Sequence, residues 1–550
     1  MDSFKNRLLT NRKTVISLLI LVMAIGFFYN IGENALKAEE PRRATISMEM
    51  MFSGDYIHPT LNNWTYYNKP PLFNWVQVAF MKAFNSNAEW VARMPSLLSH
   101  ILCCLLIYFS FRNYVGERVA TLTAFLSLVA IELLFYGSIF SGEIDLFFSL
   151  LVFLQIMSLF IFYQRKQWLQ MFLLSYFFAA LGVLTKGPPS VAFQGLTLIA
   201  MAVLYKDIRL LFRWQHFLGA AFFIFVSGSY FYLYSDGGDT VAYLSRLFKE
   251  ASQRTGVESE LSKILLGIIN VPIQLLLLIL PASLLIPYLF KRGNFSIIKS
   301  NPLLLFSLYF ILFNIPLYWF TGDFKNRYVY MFFPFLVLFF AYFYENRKLE
   351  MAKVTLVMEK VWGIIIIILA IAALSFAFTP LAELVDNSMV KAIVLSACFT
   401  TLAIYYYRVK THRILLLLMA IGILRIGFNV IYPPLLKQKS RHNVKLEMSK
   451  ILALTEDKNI QFVGLTDVIL SSASIGPLKF PEKQLKIARH MSFEIPYYYS
   501  LSRNEPLKFT TEIVPGQLYL AYESFLEGKG YSPIYRFIDT KKKTVVLFKG

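Results

Sequence analysis

VWGIIIIILAIAALSFAFT (361–379) carries no charged side chain over its whole length. Coiled as an α-helix it would reach about 28 Å, close to the hydrocarbon thickness of a bilayer. Twelve comparable runs occupy roughly 14–31, 90–111, 119–137, 144–163, 169–185, 189–205, 215–234, 261–290, 302–320, 328–344, 388–407 and 413–431. A helix satisfies its own backbone hydrogen bonds in lipid, so each run reads as a crossing. The expectation is an α-helical polytopic membrane protein with about 13 transmembrane helices.

Composition agrees. Of 550 residues 57% are hydrophobic and 16% charged, and the mean hydropathy is +0.54. A soluble domain is nearer a quarter charged. The net charge of +20 would suggest nucleic acid on a soluble chain. Here the basic residues sit between apolar runs, and no basic, aromatic-interleaved motif accompanies them. Nucleic acid is therefore set aside as a partner. Cys103, Cys104 and Cys398 all lie inside apolar runs, which leaves no disulfide framework and no Cys-ligated metal.

The connections fix an orientation. Every second one is basic: Arg112 and Arg118; Arg165 and Lys166; Lys206, Arg209 and Arg213; Lys291, Arg292 and Lys299; Arg347, Lys348, Lys353 and Lys360; Arg408, Lys410 and Arg413. The short connections 138–143 and 380–387 have no Lys or Arg. By the positive-inside rule the N-terminus is cytoplasmic, its first run retained as a span rather than cleaved, and the tail lies outside. Two outer loops are long, 32–89 and 235–260, and long loops tend to carry function. Beyond Pro433-Pro434 the sequence turns polar. Residues 435–550 read as a small soluble α/β domain, with a helix at MSKILALTED (448–457) and strands at QFVGL, QLYLAY, IYRFI and TVVLF. The membrane domain is then 1–434.

The candidate chemistry lies in the outer segments. In ENALKAEEPRRATISMEMMFSGDYIHPTLNNWTYYNKPPLFNW (33–75), Glu39 and Glu40 precede Arg42 and Arg43. Such carboxylates serve either as a general base or as a charged turn before a helix starting near Pro41. Lys69, after Tyr66 and Tyr67 and before two prolines, is either a phosphate-pairing point charge or an interfacial lysine in a tyrosine belt. Glu143 and Asp145 in SGEIDLFF (141–148) are functional acids at a membrane edge or helix-start acids favoured by the dipole. LTKGPPS (184–190) adds Lys186, RLFKEASQR (246–254) adds Arg246, Lys249 and Arg254, and GDFKNRYVYMFFP (322–334) adds Lys325, Arg327 and Tyr328. Acids and cations far apart in sequence thus share the outer face. They could hold a phosphate and activate a hydroxyl, with the ligand entering from lipid.

On these stretches the chain resembles bacterial GT-C type integral-membrane glycosyltransferases of the protein O-mannosyltransferase and lipid A aminoarabinose transferase branch. The matching positions are Glu39, Glu40, Arg42, Met50, Ser53-Gly54-Asp55, Lys69-Pro70, the Glu143/Asp145 pair, LTKGPP and RYVYMFFP. The resemblance implies transfer of one sugar, with inversion, from a polyprenyl (undecaprenyl) phosphate donor to lipid A, protein or a surface glycan at the outer face of a bacterial inner membrane. It implies Glu39, Glu40 and Asp145 as catalytic. Arg42, Lys69, Lys186, Arg254, Lys325 and Arg327 would bind the donor phosphate. Tyr66, Tyr67, Glu143 and Tyr328 would line the pocket. The aminoarabinose transferases have Glu-His where this chain has Glu250-Ala251, and an acid where it has Asn68. A divalent metal ion therefore stays open as a cofactor. The rival readings are a lipid or polysaccharide transporter or flippase, and a lipid-linked glycan polymerase or ligase.

Overall fold

A computed structural model describes residues 11–136, 140–254, 261–319, 324–439, 443–456, 458–464, 492–510 and 512–550. All thirteen apolar runs are helical there. Among the described residues nine helices are long and apolar enough to cross a membrane. Two further runs are bent pairs, Leu265–Leu278 with Ala282–Phe290 at 117° and Asn294–Ser300 with Pro302–Tyr318 at 100°. Arg12–Phe28 and Pro189–Tyr205 have only 17 residues each. By length and composition, nine of the expected thirteen runs pass among the described residues, or eleven with the bent pairs, and the two 17-residue helices fall just short in length. The run 261–290 is not one straight helix. It breaks because Pro281 has no N–H to continue the ladder and Pro287 sits in the tight helix that follows.

Local chemistry explains the ends. Asn11 caps Arg12–Phe28 by accepting from the Lys13 N–H at 3.0 Å. Asn301 accepts from the N–H groups of Leu303 and Leu304 and opens Pro302–Asn314. Helices Asp145–Gln164 and Asn326–Arg347 are enclosed by their neighbours, whereas Trp214–Tyr234, Ala352–Phe378 and Ser388–Arg408 face outward. A buried polar network ties the central helices together. Gln155 Nε2 donates to Gln194 Oε1 at 2.9 Å and to the Ser190 carbonyl at 3.2 Å. Gln194 Nε2 donates to Ser175 Oγ at 3.0 Å, and Ser190 Oγ to the Ala179 carbonyl at 2.9 Å. Each such bond in a membrane contributes about 0.6 kcal/mol. Their main effect is to fix the register of the helices that carry Asp145 and Lys186.

The first long loop, 32–89, is ordered structure. Helix Glu40–Ser53 begins with Pro41 in its first turn and ends at Gly54, whose φ of 72° suits the left-handed cap. Strands β1 (Thr60–Leu61) and β2 (Trp64–Thr65) form an antiparallel hairpin before helix Leu72–Ala83. The second loop contains helix Thr240–Arg254.

Helix Arg413–Lys439 continues through Pro433-Pro434 before the soluble fold begins. The tail holds five strands: β3 (Ile460–Val463), β4 (Lys508–Thr510), β5 (Leu518–Tyr522), β6 (Pro533–Ile538) and β7 (Thr544–Lys549). Their order is β4-β3-β5-β7-β6, with β3 parallel to β4 and β5 and with β7 antiparallel to β5 and β6. Four strands were legible from the sequence, whereas β4 is a three-residue edge too short to show. The expected helix at 448–457 occupies Val444–Thr455, and residue 457 lies outside the described residues. The polar turn of the β6–β7 hairpin is closed by Asp539 Oδ1, which accepts from the N–H groups of Lys541 and Lys543 at 2.9 Å each.

This domain is seated on the first long loop. Ile495, Tyr497, Met448 and Ile451 share one apolar core with Leu36, Ala44, Met48, Met81 and Val91. The Leu36 N–H donates to the Tyr498 hydroxyl at 3.0 Å, the Tyr497 hydroxyl donates to the Asn87 carbonyl at 2.9 Å, and Lys445 pairs with Glu89 at 2.5 Å.

Candidate active site at the outer loops

Three ion pairs, each between distant segments, meet around one cavity of about 120 Å³. Lys186 Nζ lies 2.6 Å from Asp145 Oδ1, with both side chains 6% exposed. Lys69 Nζ lies 2.5 Å from Glu250 Oε2. Arg327 Nη1 bonds Glu143 Oε2, and its Nε lies 3.7 Å from Asp145 Oδ2. The Lys186 ammonium also stands 4.9 Å and 5.0 Å from the ring centroids of Phe148 and Tyr328. Lys69 is fixed from behind, because the Tyr243 hydroxyl donates to its carbonyl at 2.8 Å.

Glu39 completes the wall. It sits at the N-terminal cap of Glu40–Ser53, with Arg42 one turn on at 2.9 Å. Burial pushes the Glu39 carboxyl up, but Arg42, Arg43, Arg327 and Lys69 outweigh it and hold the group below its ordinary value. It is therefore a carboxylate at neutral pH. Glu143 goes the other way. Burial and the charge of Asp145 raise it against the pull of Arg327.

Arg42, Arg43, Lys69, Lys186, Lys325 and Arg327 line the cavity with Glu39, Glu143, Asp145 and Glu250. Six cations face four acids, an excess of two positive charges. Arg42 Nε, Arg43 Nη1 and the Tyr66 hydroxyl are buried without a hydrogen-bond partner among the described residues. Buried donors in that condition favour an oxygen-rich anion. Each acid faces a cation, and among the described residues no three His, Cys, Asp or Glu side chains converge as a metal site requires.

Most of the expected residues come together here: Glu39, Arg42, Tyr66, Lys69, Glu143, Asp145, Lys186, Arg327 and Tyr328, with Lys325 exposed at the rim. Glu40 is not among them. Its fully buried carboxylate accepts from Arg93 Nε at 2.8 Å and Nη2 at 3.1 Å, from the Gly142 N–H at 2.8 Å and from the Lys37 N–H at 3.0 Å. Arg93 in turn donates to the carbonyls of Ile31, Asn34 and Ala35. Glu40 thus clamps the turn of Glu39 to the segment of Glu143. Tyr67 packs against Tyr243 instead of lining the cavity, and the Arg254 side chain lies outside the described residues.

Three polar lining residues were missed, Arg43, Asn68 and Glu250, along with the apolar Ile144. Arg43 could have been found, since a residue four after Glu39 on a helix shares its face. Asn68 accepts from Arg246 Nε at 3.3 Å, and nothing in the sequence announces that contact or Glu250 as the partner of Lys69.

The fold and this cavity define a multi-pass helical membrane protein whose C-terminal α/β domain packs on its first long loop. Over nearly its whole length the chain has the fold of ArnT from Cupriavidus metallidurans. The TM-score to the apo crystal structure is 0.69 at 15% identity, covering 97% of each chain. To the structure bound to undecaprenyl phosphate it is 0.68 at 17% identity, covering 98% of each. The family pattern "Dolichyl-phosphate-mannose-protein mannosyltransferase" matches residues 68–232, which include Lys69, Glu143, Asp145 and Lys186. An uncharacterized protein of Aquifex aeolicus (strain VF5) is 24% identical over 39% of this chain and 42% of its own. The undecaprenyl phosphate-alpha-4-amino-4-deoxy-L-arabinose arabinosyl transferase of Shewanella sediminis (strain HAW-EB3) is 31% identical over 20% of each chain. The aligned region thus spans less than half the length of these curated relatives. In sequence the chain resembles the protein mannosyltransferase and aminoarabinose transferase group over part of its length, and in fold it resembles ArnT over nearly all of it.

Proposed function

We propose that this protein is a glycosyltransferase that moves one sugar from a polyprenyl phosphate carrier to a hydroxyl or phosphate oxygen at the outer face of a bacterial inner membrane. The N-terminus is then cytoplasmic and residues 435–550 are periplasmic. The acceptor is lipid A, a protein or a surface glycan.

The observation that carries this reading is the charge of the cavity beside Glu39. A sugar-linked polyprenyl phosphate is a diester with one negative charge. When the bond from the anomeric carbon to the phosphate oxygen breaks, that oxygen keeps the electron pair. The leaving monoester then approaches two negative charges, matching the excess of two positive charges lining the cavity. Fixed cations aimed at charge that develops during reaction are the commonest large source of catalysis. In this reading Lys69, Lys186 and Arg327 stabilise the phosphate with help from Arg42, Arg43 and Lys325. The acceptor oxygen attacks the anomeric carbon from the opposite face, so the configuration inverts, and Glu39 takes the acceptor's proton. Its ionised state suits that task. Asp145 and Glu143 hold Lys186 and Arg327 in place. The structural relative bound to undecaprenyl phosphate and the matched family carry names of lipid-phosphate chemistry, which supports the same reading.

The test is mass spectrometry of lipid A, envelope glycoproteins and surface polysaccharide from a deletion strain rescued with wild type or Glu39→Ala. A sugar-sized mass that returns only with wild type supports transfer and names the acceptor. No difference in any class between deletion and rescue would overturn it.

A further inference from the structure

A second cavity, of about 400 Å³, lies where the first outer loop, the C-terminal half of helix Arg413–Lys439 and the soluble domain meet. Arg425 lines it from within RILLLLMAIGILRIGFNVIY (413–432), a span whose only other charged residue is Arg413 at its first position. The side chain is 3% exposed. Its Nη1 donates to the Leu134 carbonyl, and its guanidinium stands 3.6 Å from the Phe140 ring centroid and 4.9 Å from that of Phe428. Arg425 Nε is buried without a partner, and no carboxylate pairs with this guanidinium among the described residues.

A buried cation without a counter-ion is costly, and inside a membrane span it marks a ligand or ion site by default. Glu33 also lines the cavity, so its wall carries four cations and two carboxylates, and three of the remaining charged groups have partners of their own. Arg93 is held by Glu40, Lys445 by Glu89, and Glu494 accepts from the Ser492 and Thr540 hydroxyls at 2.6 Å each. Lys37 adds a cation at the exposed rim. The cavity also reaches Tyr136 and Tyr432, which are 76% and 39% exposed, as befits amphipathic rings at a membrane interface.

We propose that this cavity is a second ligand site, one that receives the anionic phosphate of an amphiphile with Arg425 as its counter-ion. The apolar chains would lie in the bilayer against Phe428 and Tyr432. The site is distinct from the cavity beside Glu39, because the Glu40–Arg93 pair stands between them: Arg93 lines one and Glu39 the other. The inference does not rest on the transferase reading, since its readout is binding.

The experiment takes the full chain from nanodiscs of phosphatidylcholine with phosphatidylglycerol into detergent and counts retained lipid by native mass spectrometry. Wild type should keep one phosphatidylglycerol in preference to phosphatidylcholine. Arg425→Gln should lose about tenfold in affinity, as expected for one charge-assisted contact. Lys37→Glu, on an exposed side chain and harmless to folding, should weaken retention in the same direction and decides the matter if Arg425→Gln does not fold. Inorganic phosphate that stabilises wild type but not Arg425→Gln would support the site with a free anion as its source. Equal retention in wild type and the folded variants, or equal retention of both lipids, would overturn the proposal.

Discussion

Glu39 and Glu40 are adjacent, yet one lines the cavity and the other is buried against Arg93, and Glu40→Gln separates these settings sharply. The substitution removes one charge and almost no volume. In the native protein the Glu40 carboxylate receives four hydrogen bonds, two of them from the Arg93 guanidinium, and both side chains are nearly inaccessible, at 0% and 2% exposure. A glutamine offers one acceptor and one donor to neighbours that are all donors. Arg93 keeps its three carbonyl bonds but loses its counter-ion. Removing one partner of a buried pair costs about 3–5 kcal/mol. The assay is reversible unfolding of the purified chain in detergent, followed by circular dichroism against denaturant. Glu40→Gln should lose an amount in that range, whereas Glu39→Gln, partly exposed beside Arg42, should stay within about 0.5 kcal/mol of wild type. If Glu40→Gln also stayed within that margin, the clamp would not exist and the distinction between the two acids would collapse.

Three further outcomes follow from other parts of the molecule. Arg327 meets both Glu143 and Asp145, so Arg327→Ala should lower turnover about 10²–10³-fold, and Arg327→Lys should recover little because a single ammonium cannot replace the fork; full activity in the lysine variant of a sugar-transfer assay would count against this. A Cβ on Gly182 would stand 2.2 Å from Ser190 Oγ, so Gly182→Ala should destabilise by about 1–3 kcal/mol and impair turnover through Lys186, as unfolding and activity measured together would reveal. Burial raises Glu49 from 4.5 to about 7 although it accepts from Thr60, Asn62 and Asn63. The folded state then binds more protons than the unfolded state between those values, so stability should fall as pH rises through that window. The fall should disappear in Glu49→Gln, and an unchanged slope there would refute it.

The apolar runs were legible because a bilayer imposes a length and a composition on any helix that crosses it. The break in 261–290 was not, since Pro272, Pro281 and Pro287 all lie in that run and only packing selects which one bends it. The residue types of the candidate site were legible from their place at the outer ends of spans. Their pairing was not. Lys69 with Glu250, Asp145 with Lys186 and Glu143 with Arg327 are contacts between distant segments, and spacing along a chain carries no information about them. Glu40 looked equivalent to Glu39 for the same reason, because its partner Arg93 lies on another helix. The tail read as a separate unit by composition, yet Tyr497 and Tyr498 bind it to the first loop, a contact that no feature of either segment announces.

The most direct test is release of free undecaprenyl phosphate from a sugar-linked undecaprenyl phosphate by the purified protein in liposomes, with the acceptor class named by envelope mass spectrometry supplied. Wild type should release it together with the glycosylated acceptor, and Glu39→Gln should be slower by about 10²–10³-fold while folding normally. Release by Glu39→Gln within a factor of about two of wild type, or none by wild type, would contradict the central claim.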